Sequence, residues 1–204
     1  MNDKQPSKRE AKKEALKAAL LKAAHDRIAE SGLEHLRARD ITADAGCALG
    51  GLYNAYKDLD NLVLHVNSIT LGRLGNELAA TAKANNDPLQ RLVELARGYL
   101  AFACDNLNQW SALFDHRMPD GQEVPDWHLA EHAVLFEHIV EPLIMIDPDL
   151  TENEVATLSR SLFAAVHGII SVCLQERFIA VPREELDRQV TEFVNIMVRG
   201  IKKR

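Results

Sequence analysis

LRARDITADAGCALGGLYNAYKDLDNL, residues 36–62, reads at helical spacing as two short helices joined by a tight turn. Leu36, Ile41 and Ala45 fall on the inward side of the first. Gly46-Cys47-Ala48 forms the turn, and a glycine there accepts the positive φ of a sharp reversal. Leu52 and Tyr56, one turn apart, share the buried face of the second helix. That leaves Gly50, Gly51, Tyr53 and Asn54 on or near the opposite face. A short helix presenting small residues, an amide and a phenol suits the major groove of DNA. Glycine permits close approach, asparagine pairs bidentately with adenine, and tyrosine reaches a phosphate. The alternative use of the same motif is internal packing.

Outward from this stretch, composition bounds the class. The chain has 204 residues, 47% of them hydrophobic and only 5% aromatic. That supplies a sizeable core, and the wealth of Ala and Leu favours helix. No apolar run of about 18 residues is apparent, so no membrane span is expected. The N-terminus is polar and basic without an apolar core, unlike a secretory signal. Cys47, Cys104 and Cys173 are far apart, which fits reduced thiols in a cytoplasm. The net charge is −6 but unevenly spread, with +1 over residues 1–60 and −7 over the remainder. Lys4, Lys8, Arg9, Lys12, Lys13, Lys17 and Lys22 crowd the start. Such a run is either a solvated helix face or a phosphate-seeking one, and the neighbouring motif favours phosphate.

The rest of the chain reads as an all-α fold of nine helices with no strand or repeat. Residues 1–7 are a polar arm expected to be disordered. A helix from about Lys8 to Glu30 carries the stripe Leu16, Leu20, Ala24 and Ile28, closed by Gly32 as a left-handed cap. Asp58 to about Lys83 is a long helix with Leu62, Val66, Ile69 and Leu74 on one side. Asp87, Pro88 and Gln90 form a capping box for a helix running to Leu107. Its buried side is Leu92, Leu95, Ala96, Tyr99, Phe102 and Ala103. A short helix follows at 108–116, then a loop at 118–125. The next helix, 126–146, is expected to kink or divide at Pro142. Thr151 and Glu154 cap a helix to about Phe178, and Pro182 opens the last one. Their seams are Val155, Leu158, Leu162, Val166, Ile169 and Cys173, then Leu186, Val190, Phe193, Met197 and Ile201. The domains expected are 1–57 and 58–204.

At Ala45-Gly46, Ala48 and Gly50-Gly51-Leu52-Tyr53-Asn54-Ala55-Tyr56 the sequence resembles the TetR family of transcriptional regulators. Leu162-Phe163-Ala164-Ala165-Val166-His167-Gly168 resembles the Trp-x-x-x-His-Gly pattern of one C-terminal subgroup, with Phe163 in place of Trp. Three positions depart from the family pattern: Arg37 replaces a Ser or Thr cap, Ala48 a Ser, and Leu59 a phosphate-binding Lys.

The resemblance implies a ligand-responsive regulator, usually a repressor, that binds a palindromic double-stranded operator as a homodimer. The DNA-facing set is Arg37, Arg39, Thr42, Leu49, Gly50, Gly51, Tyr53, Asn54 and Lys57. The last two helices are the expected dimer bundle, through Leu162, Ile169, Cys173, Val190, Phe193 and Met197. A small-molecule effector is expected among Tyr99, Phe102, Trp110, Phe114, Phe136, Phe163 and His167. No cofactor is implied. His128 and His132 lie at i, i+4 with Glu131 and His138 nearby, a spacing open to metal but more often a feature of surface histidines. No nucleophile elbow, phosphate loop or dinucleotide fingerprint is present, so no enzymatic activity is expected.

Overall fold

The structure, a computed structural model, describes residues 7–82, 85–176 and 179–201. The arm at residues 1–6 with Lys4, and the helix ends expected at Lys83 and Phe178, lie outside these. Ten α-helices and no strand occur among the described residues. They are α1 (Lys8–Ser31), α2 (Ala38–Asp44), α3 (Leu49–Ala55), α4 (Leu59–Ala82) and α5 (Pro88–Asp105), then α6 (Leu107–Asp115), α7 (Asp126–Glu131), α8 (Val134–Ile146), α9 (Glu152–Leu174) and α10 (Leu186–Ile201). The count exceeds nine because the 126–146 stretch is divided. The break falls at His132 and Ala133, while Pro142 sits buried inside α8.

The chain forms two units, Met1–Thr70 with Asn108–Val124, and Leu71–Leu107 with Pro125–Arg204. The division falls within α4 rather than ahead of it. The 108–124 segment joins the first unit through side-chain amides that donate to backbone carbonyls. Asn108 Nδ2 donates to the Ala29 carbonyl at 2.9 Å, and Asn67 Nδ2 to the Ala112 carbonyl at 3.1 Å.

In the first unit α1 starts on a full capping box, with Ser7 Oγ accepting from the Glu10 amide and the Glu10 carboxylate accepting from the Ser7 amide. Ser7 therefore belongs to the helix and not to the arm. Leu20, Ala24 and Ile28 are wholly buried, with Leu16 half-buried, so the expected stripe meets the core. It packs against Leu36, Ile41, Leu52, Tyr56, Leu62 and Val66. Gly32 does take a positive φ, but with φ 79° and ψ 167° it is extended, not left-handed helical. Only glycine holds that conformation without strain. In α4 Leu62, Val66 and Leu74 are buried as expected, whereas Ile69 faces outward.

Tyr56 shows how α3 is fastened. Its ring is buried, and its hydroxyl donates to the Lys17 carbonyl on α1 at 3.1 Å. Burial raises the phenol pKa, so the donor keeps its proton. Tyr56→Phe removes one hydrogen bond and little volume. It is expected to cost about 1 kcal/mol, read as a lowered urea midpoint of the full chain.

In the second unit α5 packs against α8, α9 and α10, and α9 also against α8 and α10. Asp87 caps α5 by accepting from the Leu89 amide, without a capping box through Gln90. All six residues expected on its inner side are buried. The Thr151–Glu154 capping box forms as expected. Pro182 precedes a short 3-10 turn, Arg183–Glu185, and α10 starts only at Leu186. The inner stripes differ from the expected ones. On α9 Ser159 and Ile170 are buried, and Leu158 and Ile169 are half-buried. On α10 Val194 and Val198 are buried, and Phe193 and Met197 are half-buried. Neighbouring rows on a helix are both near the helical period, and packing selects one of them.

Candidate functional site

The first candidate surface is built by α1, α2 and α3. Ala45 ends α2, and Gly46 reverses the chain at φ 67° with no atom within 4 Å of where a Cβ would stand. Glycine is needed there for its φ, not for space. The Cys47 amide then donates to the Thr42 carbonyl at 2.9 Å, setting the angle between the helices. On α3 Leu52 is wholly buried against α1, which turns Leu49, Gly50, Tyr53 and Asn54 outward. Tyr53 is 53% exposed and Leu49 40%. Gly50 likewise has nothing within 4 Å of a Cβ.

Two of the expected outward residues face inward instead. A Cβ at Gly51 would stand 3.2 Å from Cys47 Sγ, so this glycine lets the turn pack on α3. Thr42 is buried, and its hydroxyl donates to the Arg39 carbonyl at 3.0 Å. The missing caps have visible consequences. Neither Arg37 nor Ala48 makes a side-chain cap bond. The Arg37 guanidinium instead donates to the carbonyls of Glu34 and Leu36 at 2.8 and 2.9 Å. Asp58 Oδ1 accepts from the Asn61 amide at 2.7 Å, so α4 is capped one residue before Leu59.

Charge on this face is sorted by pairing. Arg27 is bound to Asp44 and lies near Asp40, which raises its own pKa and holds the Asp44 carboxyl below its usual range. Arg9, Lys12 and Lys13 on α1 instead line an open groove beside Gly46, Cys47 and Asn54. Among the described residues none of these three is in an ion pair. Arg39 and Lys57 are exposed. The arrangement is an outward helix with free cations along one flank, able to meet a polyanion and read a base edge.

The second candidate site lies wholly within the second unit. An apolar cavity lies between α5, α8, α9 and α10, with Leu78 of α4 at one wall. Leu92, Leu95, Ala96 and Tyr99 come from α5, Leu135, His138 and Ile139 from α8, and Leu162, Phe163 and Val166 from α9. Behind it Tyr99 Oη and His167 Nδ1 are hydrogen-bonded at 2.9 Å. Phe163 stacks on His167 at 5.8 Å and meets Tyr99 and Phe136 edge-on at 5.4 and 5.3 Å.

The expected aromatic set is thus divided. Tyr99, Phe136, Phe163 and His167 are brought together. Phe102 is buried elsewhere on α5 under the Arg73 guanidinium, 5.8 Å from its ring. Trp110 and Phe114 pair at 5.5 Å in the first unit and do not line the cavity. His138 and Ile139 were missed as lining residues. Their spacing from Leu135, three and four, was the available signal.

Of the expected dimer residues, Leu162, Cys173 and Val190 are buried within their own unit. Ile169, Phe193 and Met197 remain half-buried, beside Ile196 at 66% exposure. α9 is also more apolar than the sequence reading allowed. By length and composition it could cross a bilayer, yet only 33% of its most apolar window is buried within the chain. His128 is buried rather than superficial, with Nδ1 3.2 Å from Glu131. His132 Nδ1 donates to the His128 carbonyl at 2.8 Å. Among the described residues no group of three or more His, Cys, Asp or Glu side chains is placed to hold a metal.

Residues 92–197 match the family described as tetracyclin repressor-like, C-terminal domain. No curated protein matches the chain. Among solved structures, a protein of unknown function from Rhodococcus sp. RHA1 is similar with a TM-score of 0.72 at 19% identity, over 91% of this chain and 94% of that one. A TetR transcriptional regulator from the same organism gives 0.61 at 16% identity, over 91% and 97%. RolR, solved in complex with its ligand resorcinol, gives 0.66 at 19% identity, over 95% and 96%. At these identities the likeness is one of fold.

Proposed function

This chain belongs to the TetR family of transcriptional regulators, and from that premise we propose that it is a ligand-released repressor acting as a homodimer on a palindromic operator in the cytoplasm. The observation that carries this reading is the outward face of α3. Leu52 and Tyr56 anchor the helix, and Leu49, Gly50, Tyr53 and Asn54 are left to solvent at the spacing of base-edge contacts. Asn54 reads a base, Tyr53 reaches a phosphate, and Arg9, Lys12, Lys13, Arg39 and Lys57 supply the charge lost at Leu59. Gly51 and Thr42 have structural roles.

The half-buried row Ile169, Phe193 and Met197, with exposed Ile196, is the surface offered to a second copy. Pairing there covers the apolar part of α9 that its own chain leaves bare. It also doubles every DNA contact and sets two α3 helices about one turn of DNA apart, ~34–36 Å. The effector site is the cavity walled by Tyr99 and Phe163. α4 starts beside α3 and contributes Leu78 to that cavity, so it is the element whose position both ligands bias. No catalytic or metal-dependent step is proposed.

A gel-shift titration with the DNA flanking the chain's own gene tests this reading. The expected result is one retarded species containing two chains, weakening steeply as salt rises. Resorcinol, the ligand held by RolR, is the first probe of release. No shift with that DNA, and none with sites selected from random duplex, overturns the proposal.

A further inference from the structure

The walls of the cavity restrict what can occupy it. Its residues are aliphatic or aromatic apart from Tyr99 and His138, and no Asp, Glu, Lys or Arg is among them. Tyr99 already shares a hydrogen bond with His167. An ionised carboxylate, sulfonate or phosphate moved here would leave water without meeting a permanent counter-charge, a cost a neutral group of the same size escapes. Aromatic walls at Tyr99 and Phe163 favour a flat ring. His138, half-buried on α8, is the lining group whose ring nitrogens can address a polar substituent.

We propose that the effector is a neutral, mainly apolar aromatic molecule with a single hydroxyl or carbonyl group read by His138. This rests on the reading of the cavity as the effector site and narrows it to a ligand class. His138 acts as a specificity-determining residue. It selects among neutral ligands, and the absence of wall charge rejects ionised ones.

The test uses the full chain without DNA and two fluorescent probes of one skeleton. N-Phenyl-1-naphthylamine is neutral, and 8-anilino-1-naphthalenesulfonate adds a sulfonate. The expected result is saturable binding of the neutral probe, one per chain, at least about 100-fold tighter than the sulfonate. Ala96→Phe fills the cavity from α5 and is expected to abolish that binding with unchanged circular dichroism. Should this variant unfold, Val166→Phe fills it from α9. In competition against the probe, 1-naphthol is expected to bind about 5-fold tighter than naphthalene, and His138→Leu to erase that ratio.

Equal or tighter binding of the sulfonate overturns the ligand class. So does binding of neither probe, or neutral binding that survives the filled variants. A naphthol preference that persists in His138→Leu overturns the role of His138. Operator release is a separate readout. A neutral ligand that binds here without changing the gel shift keeps the ligand class and overturns the effector role of the cavity.

Discussion

Asn54→Ala is expected to weaken operator binding by about 30-fold or more while leaving stability unchanged. The side chain is exposed on the outward face of α3 and carries no hydrogen bond of the fold among the described residues. Removing it therefore costs the folded protein nothing that burial or capping supplies. At the operator an asparagine pairing with a base edge contributes ~1–3 kcal/mol, and a dimer uses it twice, which gives ~2–6 kcal/mol in all. The loss should keep its size across salt concentrations, because a base contact releases no counterions. Gel shifts at two salt concentrations, beside a thermal melt, check both parts. An unchanged affinity removes Asn54 from the interface. A loss that shrinks as salt rises places it on a phosphate instead.

Leu52→Ala is expected to abolish operator binding by the opposite route. Leu52 is wholly buried between α1 and α3, two residues from Asn54 and on the other side of the same helix. Truncation leaves a cavity in the first unit's core at ~2–5 kcal/mol. A helix as short as Leu49–Ala55 has little stability of its own and depends on this packing. Urea unfolding should show the early loss of one cooperative unit. The cavity of the second unit shares none of these contacts, so probe binding there should survive. Loss of DNA binding with an unshifted urea midpoint would show that Leu52 acts through the DNA surface and not through the core.

The two variants separate what a recognition helix must do, which is to pack on one side and read on the other. That separation was legible in the sequence because α3 is short and surrounded by signals of one meaning. Gly46 marks the reversal, Leu52 and Tyr56 mark the inside, and Asn54 falls outside by subtraction. The capping box at Thr151 and Glu154 was legible for the same reason, since cap and partner lie three residues apart. Ser7 and Glu10 carry an identical signal, obscured by the polar composition around Pro6.

Other features were ambiguous for a physical reason. On α10 the rows 190–194–198 and 190–193–197 both satisfy a helical period, and the choice depends on what packs opposite. α5 and α9 take the valine row and leave Phe193 and Met197 half-exposed. Gly51 reads as an outward glycine until the Cys47 side chain is placed over it. Trp110 and Phe114 read as pocket aromatics until Asn67, on α4, and Asn108, bonded to Ala29, tie α6 to the first unit.

From its residues alone this chain determined most of its helices, its turn at Gly46 and most of the outward face of α3, because those depend on contacts and torsions within a few positions. Tertiary structure alone decided which apolar rows were spent on the core, which aromatics met around the cavity, and that no Asp, Glu, Lys or Arg lines it. Those outcomes depend on side chains far apart in sequence, whose distances no periodicity encodes.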